Sequence, residues 1–244
     1  MAALIGALGP RHIALPPRPV TPEQPASPYE ALARAIAHQQ LNGKAAQSIL
    51  TRMTALYGQR FPAPAELLAT DPQALRGAGF SFSKIAALRD LAARTLEGVV
   101  PEAAALEPLS DLEIIERLTT VRGIGRWTVE MMLIFQLGRP DVLPVDDFGV
   151  CNGFRLAYGL AGMPRPRALA EFGERWKPHR SRAAWYLWRA VELERSGALP
   201  RCARRPRIAV RKLASKLTPL ARRTRQKVRA KRAGRRASAA GRRS

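Results

Sequence analysis

Two short stretches of the 244-residue sequence carry residue types and spacing suited to chemistry. In the first, Leu118-Thr119-Thr120-Val121-Arg122-Gly123-Ile124-Gly125-Arg126-Trp127-Thr128-Val129, two glycines one residue apart lie between segments of helical apolar spacing. Such a turn leaves its amides unshielded and can sit directly on a phosphate. With the next helix starting at about Arg126, the free N–H groups and positive dipole end of its first turn point at the same anion. Arg122 and Arg126 add charge. A helix C-cap followed by a new helix would read the same way, and Gly-Ile-Gly lacks the further residues of a dinucleotide fingerprint or a nucleotide P-loop. The second stretch is Leu143-Pro144-Val145-Asp146-Asp147, ahead of a helical pattern. An Asp there serves either as a helix cap or as a carboxylate offered to a substrate. Both roles coincide if the helix N-terminus helps to keep the acid ionised.

The charge is very unevenly spread. Of the 41 Lys and Arg residues behind the net charge of +22, 18 fall in residues 201–244, which contain no Asp or Glu; residues 1–200 hold the other 23 against 19 acids. That segment, rich in Ala, Arg, Lys and Ser, has too few large apolar residues to order itself and is expected to be a disordered polycation. Nucleic acid is the expected partner, through sequence-independent phosphate contact and counterion release. A solvated tail or a membrane-surface contact is the alternative. Cys151 and Cys202 are the only cysteines and have no paired spacing, which argues against zinc and all-cysteine iron–sulfur sites and fits a reducing compartment. His12, His38 and His179 lack a second histidine at metal-ligand spacing. No apolar run approaches membrane-spanning length, and the apolar start of the chain, with no basic residue before it, is a poor secretory signal. The expectation is a cytoplasmic, nucleoid-associated protein.

The elements that must position these stretches read as helices throughout. Met1 to Leu8 fits a short helix, and the proline-rich run from Pro10 to Pro25 an extended connection. Ser27-Pro28 opens a helix as cap and first residue, running to about Gln39. A second follows with Ala46, Ile49, Leu50 and Met53 on one face. Between them, His38-Gln39-Gln40-Leu41-Asn42-Gly43-Lys44 places two amides beside an apolar residue at a helix junction, which loop capping would also explain. Two short helices, the second capped by Asp71, precede a helix over Ser83 to Leu96 with Ile85, Leu88, Leu91 and Leu96 inward. Ser110 to Glu113 has capping-box spacing, with Leu112, Ile115 and Leu118 leading into the glycine hairpin. The nearly all-apolar helix after it is expected to be buried. Helices over Phe148 to Tyr158, over Arg167 to Arg175 and from Pro178 onward complete the chain. The fold class is all-α, with one domain over residues 1–200 and the tail over 201–244.

Taken together, Gln39-Gln40-Leu41, Val121 to Thr128, Pro144-Val145-Asp146-Asp147 and Arg175-Trp176-Lys177-Pro178 resemble the DNA-3-methyladenine glycosylase II family, in the helix-hairpin-helix superfamily of base-excision glycosylases. The similarity covers roughly residues 1–200. It departs in the basic tail and in the extra N-terminal β-rich domain of larger bacterial members, which has no counterpart here. The resemblance implies two helical lobes flanking an active-site cleft, and Asp146 as the catalytic carboxylate with Asp147 as a cap or supporting acid.

A desolvated carboxylate would stabilise the positive charge that builds on deoxyribose and would orient or deprotonate the attacking water. An alkylated purine is already cationic, so it leaves with little protonation once flipped into a pocket. Trp127, Met131 and Trp188 are the candidate pocket walls, with core packing the alternative for each. By similarity, Gln40 and Leu41 fill the gap left by the flipped nucleotide, Lys44 and Arg122 contact DNA, and Gly123, Ile124, Gly125, Arg126 and Thr128 hold a flanking phosphate. The carbonyls of Thr119, Val121 and Gly123 would hold a structural Na⁺ or K⁺, with no other cofactor. Superfamily members that also cut the backbone carry Lys where this chain has Trp127, so a Schiff base is not expected and the enzyme would be monofunctional. The implied partner is double-stranded DNA containing alkylated bases, bound by a monomer with no membrane association. The alternatives are a glycosylase for oxidised, deaminated or mismatched bases and a non-catalytic helix-hairpin-helix protein that compacts DNA.

Overall fold

The structure, a computed structural model, describes residues 1–9 and 27–199. The proline-rich connection and the basic tail lie outside the described residues. Among those described there are twelve α-helices and one 3-10 turn and no strand, as the periodicity predicts. The described residues form two compact units, one from residues 27–144 and 178–181, the other from residues 1–9, 145–177 and 182–199.

The first unit contains α2 (Pro28–His38), α3 (Gly43–Ala55), α4 (Pro64–Ala69), α5 (Pro72–Gly77), α6 (Phe82–Leu96), α7 (Ala103–Leu106), α8 (Asp111–Leu118) and α9 (Arg126–Phe135). Caps set their starts: Ser27 Oγ accepts from Glu30 N, Asn42 Oδ1 from Ala45 N, Asp71 Oδ1 from Gln73 N, and Ser110 and Glu113 close a reciprocal box. The helix α6 packs against α2, α4 and α5, while α9 packs against α2 and α8. Leu32, Ile36, Met53, Leu88, Leu91, Leu118 and Leu133 are buried between them. Three apolar expectations fail. Leu96 and Leu112 are exposed, because each lies at a helix end where the stripe has turned to solvent. The helix α9 is not buried all round: Trp127 and Phe135, two turns apart on one face, are 49% and 50% exposed. In their place α9 buries a charge, since Glu130 is 3% exposed and pairs with Nε of Arg126 at 2.8 Å.

The second unit contains α1 (Ala2–Leu8), α10 (Phe148–Tyr158), α11 (Pro166–Gly173), the 3-10 turn Glu174–Trp176 and the body of α12 (Arg180–Arg195). Phe154, Tyr158, Phe172 and Trp176 form an aromatic cluster with centroids 4.6–6.5 Å apart. The Arg175 guanidinium lies 3.8 Å from the Phe172 ring centroid. Gly153 lets α10 meet α12 backbone to backbone, for a Cβ there would lie 1.9 Å from the Leu187 carbonyl oxygen. The sequence places the start of α12 at Pro178, whereas its first helical residue is Arg180. The first turn of α12 belongs to the other unit, where Arg180 makes a two-pronged ion pair with Asp141 at 2.8 Å on each prong. Ser181 Oγ there accepts from Val142 N at 2.9 Å and donates to Arg139 O, which fixes residues 139–142 on the approach to Pro144.

Candidate nucleic-acid interface and carboxylate site

The hairpin between α8 and α9 has the geometry that the glycine spacing requires. Gly123 has φ +78, in the left-handed region, and a Cβ on it would stand 3.1 Å from the Ala87 Cβ of α6. Gly125 is the N-cap of α9 with φ −93, and the space where its side chain would be is open. Ile124 donates its N–H to Val121 O and Thr128 donates to Gly125 O; both side chains are buried. The Ile124 and Thr128 amides are thus engaged within the hairpin and the first turn of α9. Among the described residues, the N–H groups of Gly123, Gly125 and Arg126 have no acceptor. They are the donors left for an anion, at the positive end of α9.

Two contacts that the sequence does not announce hold this turn, and a third holds the end of α2. The Gln39 Nε2 donates to Gly123 O at 2.8 Å across 84 residues of chain. Asp90 Oδ2 accepts from Arg122 N at 2.7 Å. Lys84 Nζ donates to Ala37 O at 2.8 Å, in the last turn of α2 just before the Gln39-Gln40-Leu41 loop. Burial of Lys84 lowers its pKa. Lys84, Ala87 and Asp90 lie along one face of α6, so a single helix supports both the hairpin and the loop. In that loop Gln40 has φ +57, rare for a residue with a side chain, and its side chain and that of Leu41 are exposed. Lys44 and Arg122 are exposed, Met131 is half-buried one turn after Trp127, and Arg126 is tied to Glu130 through Nε. The Gly123 and Val121 carbonyls each accept one hydrogen bond, and each keeps a second lone pair.

In the other unit the two adjacent acids have separate roles. Asp147 is the N-cap of α10: its Oδ1 accepts from Val150 N at 2.7 Å and from Trp188 Nε1 at 2.8 Å. Asp146 is exposed, and among the described residues no donor is hydrogen-bonded to its carboxylate. Cys151, buried, donates Sγ–H to Val145 O at 3.1 Å. Burial, then the nearby Asp147 and Asp146 charges, push this thiol up to about 11, so it remains protonated. Val145 and Asp147 are thus held on either side of Asp146. Trp188 was expected as a pocket wall; its indole edge is engaged with Asp147. Neither Gln39 nor Cys151 is among the expected site residues, although Gln39 stands in the Gln-Gln-Leu junction that carries part of the family resemblance.

With its glycine hairpin between two helices and a downstream Pro-Val-Asp-Asp turn, the chain belongs to the HhH-GPD superfamily of base excision DNA repair proteins, whose family model matches residues 33–179, and it is a DNA glycosylase of that class. It is similar to DNA-3-methyladenine glycosylase 1 of Schizosaccharomyces pombe, with 43% identity over 177 residues, 72% of this chain and 78% of that protein. Among solved structures it resembles the S. pombe 3-methyladenine DNA glycosylase in complex with abasic DNA, at 41% identity and a TM-score of 0.65, covering 77% of this chain and 89% of that one. It also resembles DNA-3-methyladenine glycosidase of Bacillus halodurans, at 37% identity and a TM-score of 0.63, over 67% of this chain and 75% of that one. DNA is its partner.

Proposed function

We propose that this enzyme excises alkylated purines, with 3-methyladenine as the representative substrate, by hydrolysing the N-glycosidic bond, and that Asp146 is the carboxylate that carries the reaction. The observation that carries this reading is the division of labour at residues 146 and 147. Asp147 satisfies the α10 N-terminus, which leaves the Asp146 oxygens uncommitted. The names of the S. pombe and B. halodurans proteins to which the chain is similar support the substrate class.

In the proposed reaction the C1′–N bond breaks toward the base, and the bonding pair neutralises the cationic ring. The sugar becomes positively charged as this happens, and Asp146 stabilises that charge. Water then forms the new C1′–O bond while Asp146 accepts its proton, leaving an abasic site. No amine is available at residue 127 for a Schiff base, so the strand remains intact. The exposed indole of Trp127, with Met131 beside it, offers an aromatic face to the cationic base, an interaction worth about 0.5–2 kcal/mol. Gln40 and Leu41, held outward by a left-handed backbone, fill the gap in the duplex, and the Gly123, Gly125 and Arg126 amides grip a neighbouring phosphate. The carbonyls of Thr119, Val121 and Gly123 fit a monovalent cation in number and in free lone pairs, and such an ion would add positive charge beside that phosphate.

The test is to incubate the protein with methylated duplex DNA and identify the released bases by mass spectrometry. The wild type is expected to release 3-methyladenine, and Asp146→Asn to do so at least about a hundredfold more slowly while still binding DNA. Base release by Asp146→Asn at the wild-type rate would overturn the mechanism, and wild-type protein that releases no methylated purine from this DNA would overturn the substrate class.

A further inference from the structure

The contacts around Asp147 point to a role for Trp188 that core packing or a pocket wall does not capture. One carboxylate oxygen, Asp147 Oδ1, receives two donors of different origin: the Val150 amide in the first turn of α10, and the indole Nε1–H of Trp188 on α12, 41 residues along the chain. The indole is set against the backbone of that same turn. A Cβ on Gly149 would lie 2.7 Å from Trp188 Cδ1, 3.0 Å from Nε1 and 3.1 Å from Asp147 Oδ1. Only glycine at 149 lets the ring reach the cap. On the other side of Asp146, the Cys151 thiol holds the Val145 carbonyl. The backbone of residue 146 is therefore tied at both neighbours while its own side chain makes no hydrogen bond among the described residues.

We propose that Trp188, Gly149 and Asp147 form a positioning clamp: the indole N–H locks the Asp147 carboxylate onto the α10 N-terminus, which fixes the direction in which the Asp146 carboxylate projects and keeps Asp147 from competing for the substrate's positive charge. Trp188 is a positioning residue on this account, acting through Asp147. The proposal rests on the assignment of Asp146 as the reacting carboxylate. A hydrogen bond to an ionised acceptor is among the stronger polar contacts in a protein, and a misplacement of about 1 Å at a reacting group lowers rates by as much as about a hundredfold.

The experiment measures single-turnover release of 3-methyladenine from methylated duplex DNA, alongside affinity for a duplex with an abasic-site analogue and a thermal melt of each variant. Trp188→Phe keeps an aromatic ring but loses the donor. It is expected to slow release about tenfold to a hundredfold while affinity for the abasic duplex stays within about twofold. Gly149→Ala, which leaves every hydrogen-bonding group in place but displaces the ring, is expected to do the same. Asp147→Asn keeps an acceptor for both donors and should stay within about threefold of wild type, whereas Asp147→Ala should fall as far as Trp188→Phe. The two losses should not add when Asp147→Ala and Trp188→Phe are combined. Additive losses, or a Trp188→Phe defect confined to DNA affinity with the single-turnover rate unchanged, overturn the clamp. If both ring variants melt below the assay temperature, the Asp147 pair decides: equal rates for Asn and Ala overturn it. Wild-type release by Asp146→Asn would instead refute the catalytic assignment itself, whatever Trp188 does.

Discussion

The two hairpin glycines look equivalent in the sequence, but the structure assigns them different constraints, and substituting each with alanine separates folding from binding. At Gly123 the backbone has φ +78, which costs a residue with a side chain about 1–2 kcal/mol. The new methyl would also press on the Ala87 Cβ of α6 at 3.1 Å, a tight contact that adds about 1 kcal/mol. Gly123→Ala should therefore destabilise by about 2–3 kcal/mol, which for a chain of this size lowers the melting temperature by about 4–12 °C.

At Gly125 the backbone is extended and no atom lies within 4 Å of the added carbon. Alanine is a poorer N-cap than glycine but restricts the unfolded chain, and these two effects of a few tenths to about 1 kcal/mol nearly cancel. Its melting temperature should stay within about 2 °C of wild type. Its methyl, however, stands beside the free amides of Gly125 and Arg126, where the proposed phosphate contact requires close approach. Losing or lengthening one hydrogen bond to a charged oxygen, worth about 1.5–3 kcal/mol, raises Kd about ten- to a hundredfold.

The assays are thermal melts and fluorescence anisotropy with a duplex containing an abasic-site analogue. A cycle combining Gly123→Ala with Ala87→Gly isolates the steric contact, since the second change relieves it while leaving the φ penalty. A Gly125→Ala protein that loses stability but binds normally would refute the argument. So would a Gly123→Ala protein as stable as wild type.

Three further outcomes follow from the charges. Because folding raises the Cys151 thiol from 9.0 to about 11, the folded state holds this proton more tightly than the unfolded one. Its contribution to stability is complete below about pH 9 and is lost as pH rises through about 11, so wild type should lose stability over that window more steeply than Cys151→Ala in urea titrations. The same thiol should resist alkylating reagents in the folded protein at pH 8 and react once the chain is unfolded. Deleting residues 201–244 removes 18 basic charges and should flatten the dependence of log K on log salt, each lost phosphate contact reducing the slope by about 0.9, with single-turnover release nearly unchanged. A large loss of the single-turnover rate would mean that this segment shapes the site.

The sequence by itself determined what depends on neighbours in the chain. Ser27, Asp71 and Ser110 cap helices through hydrogen bonds spanning two or three residues, so residue type and offset suffice to find them. The apolar period gave an all-helical chain, and two glycines one residue apart located the hairpin. Tertiary structure decided everything that depends on which helix faces which. Asp146 and Asp147 carry the same side chain, and only the arrival of Val150 N and Trp188 Nε1 on Asp147 distinguishes cap from free carboxylate. Gln39 reaches Gly123 across 84 residues, and Lys84, Ala87 and Asp90 meet the loop and the hairpin only because α6 lies beneath both. Helical periodicity assigns an apolar residue to a face without saying whether that face meets another helix, so Trp127 and Phe135 read as core while the packed structure leaves them open to solvent. Local hydrogen bonds are written in residue order; contacts between distant segments exist only once packing has fixed the distances between them.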